Sequence, residues 1–215
     1  MMDFTTWDIF RNLLFAARWT IGLTFIAFVG SGILGFVVLV LGISKNRWMR
    51  QAASAYITFV EGTPLLLQLF VVFFGLPLVG IRAEPMTVAC FSLSLYGGAF
   101  LADIWRGGVR AVPAGQWDAA ASLGLHRLLQ LVLVVLPQAF RVTSAPTVGF
   151  LVQLLKNTAF ASVIGFDEIL KAANAMANAT FEPFTIYGFV MTIYFTLCFP
   201  MTRYVSYLES KTMTH

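Results

Sequence analysis

Long apolar runs, each bounded by arginine or lysine, set the pattern of this chain. Five segments are long and apolar enough to cross a bilayer: residues 19–43, 52–78, 85–105, 128–155 and 184–202. A spanning helix needs about 20 such residues. The runs are apolar on both parities. This excludes barrel strands, which alternate over segments of about ten residues. Between the third and fourth runs, residues 113–127 break the pattern with PAGQWDAAASLGLHR, a stretch too short and too polar to span anything. At the other end, Thr5-x-x-Asp8 fits a capping box and predicts a short interfacial helix leading into the first span.

Composition turns this pattern into a statement about solvent. The 215 residues are 59% hydrophobic and 11% charged, whereas soluble domains carry about 25% charged residues. Lipid is therefore the expected solvent, and the fold class is an all-α polytopic membrane protein. The expected span is one domain over residues 1–215, because no internal repeat or low-complexity stretch divides it. Cys90 and Cys198 both lie inside apolar runs and read as small buried hydrophobes. No metal-ligand spacing and no redox pair is present. The N-terminal stretch carries acids and lacks a cleavage-site pattern, so it does not read as a removable signal.

The placement of charge orients the chain. With the far end of the first span cytoplasmic, that side holds Lys45, Arg47, Arg50, Arg106, Arg110, Arg127, Arg203 and Lys211. The opposite side holds Arg11, Arg18, Arg82 and Lys171. The positive-inside rule then predicts an external N-terminus and a cytoplasmic C-terminus. The polar stretch 113–127 falls on the cytoplasmic side.

That stretch has the makings of one short helix over Gly115 to Leu123. Pro113 precedes it, and Asp118 is expected near its first turn, where the helix dipole favours an anion. Gly124 suits a left-handed stop. Ala119, Ala120, Ala121 and Ser122 are small and let another surface approach the backbone closely. The helix is fit either to be gripped by a partner or to lie in the membrane plane as a connector.

The same residues carry a family resemblance. Asp118-Ala119-Ala120, three residues, Gly124, nine residues, Val134, one residue and Leu136-Pro137 resemble the EAA motif of membrane subunits of ATP-binding-cassette importers. Asp118 stands where glutamate is usual, and Val134 where isoleucine is usual. Gly62-Thr63-Pro64-Leu65-Leu66, Gly98-Ala99-Phe100-Leu101-Ala102-Asp103, Gly115-Gln116 and Leu155-Lys156-Asn157-Thr158 are similar to permeases for polar amino acids.

The resemblance implies a type I ABC importer-like core in the bacterial inner membrane, with a cytoplasmic coupling helix. It implies an identical or sister permease subunit, two ATPase subunits below and an extracytoplasmic amino-acid-binding protein above. Gln116, Asp118, Ala119, Ala120, Gly124, Leu136 and Pro137 would couple the chain to the ATPase. No GxxxxGK[ST] phosphate loop occurs in the chain. ATP and Mg²⁺ are expected on the partner ATPase subunits, with no cofactor, metal or catalytic residue here. Lipid is the expected surrounding, and nucleic acid is not an expected partner.

Polar groups at membrane depth are candidates for the substrate pathway. Glu61 and Thr63 belong to a predicted helix break, because Pro64 cannot donate to the carbonyl of Val60. Glu61 stands where the family more often has arginine; it is expected to face substrate or pair with a basic neighbour such as Lys156, or to be an interfacial glutamate if residues 46–60 lie in the membrane plane. Lys156, Asn157 and Thr158 offer an ammonium, an amide and a hydroxyl to a zwitterionic amino acid. Asp103 and Arg106, three residues apart, are expected to form a structural ion pair. Arg141, between Pro137 and Pro146, is expected to brace the fourth span or the coupling loop.

Two other classes remain to be weighed. An ion-gradient-driven secondary amino acid transporter would also use broken helices near the midplane. It has no use for a cytoplasmic Asp-Ala-Ala helix. A membrane enzyme would need convergent groups. The histidines, His126 and His215, lie in a loop and at the C-terminus.

Overall fold

A computed structural model describes residues 5–213, all in helices and short connections. The elements are α1 (Thr6–Gly42), α2 (Arg47–Glu61), α3 (Leu65–Leu78), α4 (Pro85–Ala111), α5 (Ala114–Ser122) and α6 (Arg127–Leu129). A π-helical segment over Gln130–Val135 leads into α7 (Leu136–Asn157), and a 3₁₀ stretch over Thr158–Ile164 follows it. The chain closes with α8 (Ile169–Thr180) and α9 (Pro183–Met213). His215 lies outside the described residues. Four helical stretches are long and apolar enough to cross a membrane, or five if the bent pair α2–α3 counts as one.

The capping box forms as expected. Asp8 N donates to Thr5 Oγ1 at 3.2 Å, and Thr5 N donates back to Asp8 Oδ2 at 3.3 Å. The expected separate interfacial helix does not exist. With no glycine or proline between Thr6 and Arg18, nothing stops the helix, and α1 runs unbroken for 37 residues. At about 1.5 Å per residue it is roughly 55 Å long. That exceeds a hydrocarbon core of about 30 Å, so part of it stands outside.

The span expected over 52–78 is two short helices meeting at 102°. Pro64 frees the carbonyl of Val60, and Gln68 Nε2 donates to that carbonyl at 2.9 Å. The same nitrogen donates to Thr63 Oγ1 at 2.8 Å, while Thr63 Oγ1 donates to Phe59 O at 2.8 Å. The Val60 carbonyl and the Thr63 hydroxyl thus find partners at the bend, which helps make the break tolerable at membrane depth. The α2 helix is amphipathic: Ala53, Ile57 and Val60 are buried, while Arg47, Arg50 and Gln51 face outward.

The centre of the bundle is α4, packed against α1 along most of its length. Small residues bring the two backbones together, as in membrane helix pairs generally. A methyl group at Gly97 would stand 2.1 Å from Ser31 Oγ, and one at Gly35 would stand 3.1 Å from Gly98 O. On its other side α4 meets α7: Phe100 stacks on Phe150 at 5.5 Å, and Trp105 Nε1 donates to Thr147 Oγ1 at 3.0 Å. Leu23, Leu93, Leu101 and Leu154 fill the space between. A second cluster joins α1, α8 and α9 through Leu13, Ile169, Ala173 and Ile186.

Candidate functional site

The coupling helix forms one residue earlier than expected, over Ala114–Ser122, with Pro113 as its N-cap. Asp118 consequently falls in the second turn, and the first turn holds no acid. The dipole argument for Asp118 therefore fails, because that effect fades within the first turn. Its C-terminal stop is as expected. Gly124 adopts φ +76°, Gly124 N donates to Ala121 O at 2.9 Å, and Leu125 N donates to Ala120 O at 3.3 Å. These two bonds form a Schellman motif, which needs a left-handed residue at Gly124.

One face of α5 holds it to the bundle and the other is open. Ala120 is buried, and Trp117 packs against the cluster of Leu39, Val109, Leu131 and Val135. Asp118, Ala119 and Ala121 face outward. Gln116 reaches back to α7, where Gln138 Nε2 donates to Gln116 Oε1 at 3.2 Å. In the first turn of α7, Pro137 cannot donate to the carbonyl four residues back. The ladder over Gln130–Val135 takes the wider π spacing there. Leu136 and Pro137 of the motif thus sit where the span changes pitch.

The polar residues at depth separate into two groups. Asp103 and Arg106 form the expected ion pair on α4. Glu61, at the end of α2, lies within electrostatic reach of both. Tyr96 on α4 feels the charge of Glu61 and meets the side chain of Asn157. A polar row therefore crosses from α2 over α4 to α7. Tyr96 was not singled out from the sequence; a lone tyrosine in an apolar span is the signal, since its hydroxyl needs a partner.

Lys156 stands apart from this row, and no ion pair joins it to Glu61 among the described residues. Successive helix residues point about 100° apart. Lys156 is exposed and acts on Cys198 of α9, whereas Asn157 and Thr158 are buried. Thr158 Oγ1 donates to Leu155 O at 2.7 Å. Lys156, Asn157 and Thr158 thus do not face one substrate together. Arg141 is exposed and lines a cavity with Val112, Pro113 and Gln138, and it makes no ion pair among the described residues.

The pattern of the chain has counterparts. Residues 31–213 match the family described as "Binding-protein-dependent transport system inner membrane component". The chain belongs to this family. The permease is 31% identical over 193 residues to the probable amino-acid ABC transporter permease protein YckA of Bacillus subtilis, covering 90% of this chain and 85% of that protein. It is 32% identical over 194 residues to the L-cystine transport system permease protein TcyB of the same organism, covering 90% and 83%. Over 183 residues it is 36% identical to the arginine transport system permease protein ArtQ, also of Bacillus subtilis, covering 83% and 82%.

Among solved structures, the permease superposes on an amino acid ABC transporter crystallised with histidines at TM-score 0.86 and 29% identity, over 94% of each chain. An inward-facing MetNI methionine ABC transporter gives TM-score 0.73 at 19% identity, covering 91% of this chain and 96% of that one. The latter shares the fold. The permease is thus a multi-pass membrane protein with the type I importer core, and membership replaces the ion-gradient-driven secondary transporter as its class.

Sequence reading passed over the most enclosed carboxylate among the described residues. Glu168 is fully buried at the N-cap of α8. Its Oε1 accepts from Lys171 N at 3.0 Å, and its Oε2 accepts from Tyr194 Oη at 3.1 Å and Thr20 Oγ1 at 3.4 Å. Thr20 Oγ1 also accepts from Ile169 N at 3.3 Å. One carboxylate thus ties α1, α8 and α9. The signal was an acidic residue just before Ile169, Ala173 and Ala177 at helical spacing. The alanine-rich α8, at 12 residues, is too short to read as a span.

Proposed function

We propose that this chain is the permease subunit of an ATP-driven importer for polar amino acids and forms half of its translocation pathway. The observation that carries this reading is α5: a short helix held to the bundle by Ala120 and Trp117, with Asp118 and Ala119 presented outward and Gly124 left-handed at its end. In this reading an identical or sister permease completes the pore, and an extracytoplasmic binding protein delivers the amino acid. Two ATPase subunits grip α5 from the cytoplasm and hold ATP and Mg²⁺. The chain sits in the inner membrane with its N-terminus outside and its C-terminus in the cytoplasm, and it acts as one membrane domain.

The coupling then has a route. Nucleotide-driven closure of the ATPase pair displaces α5. The Gln116–Gln138 hydrogen bond and the Trp117 contact pass this displacement to the start of α7. The π-helical segment lets that start move relative to the rest of the span. The swing between inward- and outward-facing states is limited by the difference in ATPase affinity for the two. Substrate meets the row of Glu61, Tyr96 and Asn157 between α2, α4 and α7. Names of relatives point to amino acids as the class, and Glu61 favours a cationic one.

Reconstitution tests the reading. The assembled complex in proteoliposomes should accumulate an amino acid only with ATP and binding protein present. Uptake by this chain without ATP would overturn it. Orientation is tested separately, in a background lacking Cys90 and Cys198. A cysteine placed at Thr180 should react with an impermeant reagent from outside, and one at Asn46 should not.

A further inference from the structure

A groove of about 750 Å³ opens where α1, α4, α5 and α6 come together, at the end of the bundle that carries the coupling helix. Its floor is apolar and includes Leu41, Trp117 and Leu131, and its rim carries Lys45, Arg110 and Arg127. None of these three cations makes an ion pair among the described residues. The guanidinium of Arg127 lies over the Trp117 ring at 5.6 Å. Asp118 lines the adjoining cavity beside Lys45, His126 and Arg127 and pairs with none of them.

The position of the groove matters as much as its charge. Lys45 follows the last turn of α1, Arg110 stands in the last turn of α4, and Arg127 opens the next membrane stretch. All three therefore sit at or just beyond the ends of apolar helices, where the membrane reading of those helices puts lipid headgroups. The apolar floor continues sideways through Val40 and Leu128, which are 37% and 59% exposed on the membrane side of the cations. An apolar slot rising into the bilayer beneath a rim of three unpaired cations is complementary to a chain-bearing anion.

We infer that this groove binds one anionic phospholipid, its phosphate among Lys45, Arg110 and Arg127 and an acyl chain along Leu41, Leu131 and Leu128. A docked protein is the less complementary occupant. Apart from Trp117 of α5, the apolar floor is built from residues at the ends of long apolar helices, such as Leu41, Leu128 and Leu131, and the outward face of α5 leaves Asp118 and Ala119 for a soluble partner instead. A lipid seated here touches Trp117 and Ala114 of α5, so it would set how firmly the coupling helix rests on the bundle. The inference rests on the membrane reading of α1, α4 and the α6–α7 stretch. It does not depend on which amino acid is carried.

Native mass spectrometry of the intact complex in mild detergent tests it, with phosphatidylglycerol and phosphatidylcholine of identical chains as probes. Each basic residue at a bilayer surface strengthens anionic-lipid binding about fivefold, so three give about a hundredfold. Wild type should retain phosphatidylglycerol over phosphatidylcholine by about that ratio. The triple variant Lys45→Gln/Arg110→Gln/Arg127→Gln should lose the preference, and Arg82→Gln/Arg203→Gln should keep it. Arg110→Gln alone, a change at an exposed side chain, should weaken phosphatidylglycerol about fivefold and covers the case in which the triple variant fails to fold. Equal retention of the two lipids by wild type overturns the inference. So does an equal loss in the Arg82/Arg203 control, or a triple variant that keeps its lipid but releases the ATPase. The last outcome would make the groove a protein interface. Since the readout is lipid retention, a failed transport assay leaves it unaffected.

Discussion

Gln138 on α7 donates from Nε2 to Gln116 Oε1 on α5 across 3.2 Å, and from the same nitrogen to Val134 O at 2.9 Å. One amide thus fastens the coupling helix to the point where the following span changes from π to α pitch. A solvent-accessible hydrogen bond adds only about 0.5–1.5 kcal/mol, which suits a joint that must move. Gln138→Ala should leave the ATPase bound, because the outward face of α5 is untouched. Substrate-stimulated ATP hydrolysis should fall about two- to tenfold, the range that this energy represents. Co-purification and ATPase assays on one preparation separate the two effects, and unchanged hydrolysis would remove Gln138 from the coupling route.

Gly124 gives the sharpest substitution. Its φ of +76° costs a residue with a Cβ about 1–2 kcal/mol, and a β-branched one more. Nothing lies within 4 Å of the position a Cβ would take, so the effect is conformational and not steric crowding. Gly124→Val should fray the end of α5 and detach the ATPase while the chain still inserts. Gly124→Asn should retain most binding, since asparagine tolerates this region. Equal behaviour of the two variants in pull-down would refute the conformational argument.

The α1–α4 contact is tested by a pair. A Cβ at Gly97 meets Ser31 Oγ at 2.1 Å and Ser31 Cβ at 2.8 Å. Gly97→Ala should therefore force the helices apart at a cost of about 1–3 kcal/mol, the range for overpacking. Ser31→Gly in the same chain should recover part of it. Thermal unfolding in detergent reads both, and absence of recovery would place the strain elsewhere.

Glu168 predicts an asymmetry between two replacements. Glu168→Ala leaves the Thr20 and Tyr194 hydroxyls and the Lys171 amide without their acceptor, at about 1–3 kcal/mol for each group left buried and unpaired. Glu168→Gln keeps an acceptor oxygen and should cost less. Melting temperatures should rank wild type, Gln and Ala in that order. Gln as damaging as Ala would mean that charge, and not acceptor geometry, holds the three helices.

Glu61 carries the substrate prediction. It lies within electrostatic reach of Asp103, Arg106 and Tyr96 and makes no ion pair among the described residues, so its neutralisation changes the charge of the polar row without disturbing one. Glu61→Gln should lower uptake of cationic amino acids about tenfold or more and leave neutral ones within about twofold, the contrast expected when one direct charge contact is lost. Competition assays with arginine and glutamine read the difference. A uniform loss would assign Glu61 to the architecture of the bend.

Much of the machinery was legible in order along the chain. Asp118, Ala119, Ala120 and Gly124 are consecutive features of one loop. Their chemistry is local: a helix nine residues long, a proline before it and a left-handed glycine after it. Local backbone rules act over a few residues, so sequence shows them directly. The bend at Glu61–Pro64 was legible for the same reason, because proline removes one named hydrogen bond. The spans were legible because bilayer thickness imposes a minimum apolar length.

What only the tertiary structure decided is which side chains meet across helices. From the sequence, Glu61 could face substrate, pair with a basic neighbour such as Lys156, or lie at the membrane interface. Helix rotation turns Lys156 toward α9 and leaves Glu61 within electrostatic reach of Asp103, Arg106 and Tyr96. Likewise nothing local to Asp167-Glu168 shows that Thr20 and Tyr194 will close over the carboxylate, since those partners lie 148 and 26 residues away. A span needs only enough apolar residues to enter lipid, a condition that many rotations satisfy. Close packing of Gly35 and Gly97 selects one rotation for α1 and α4, and that choice sets the neighbours of every polar group within the bundle.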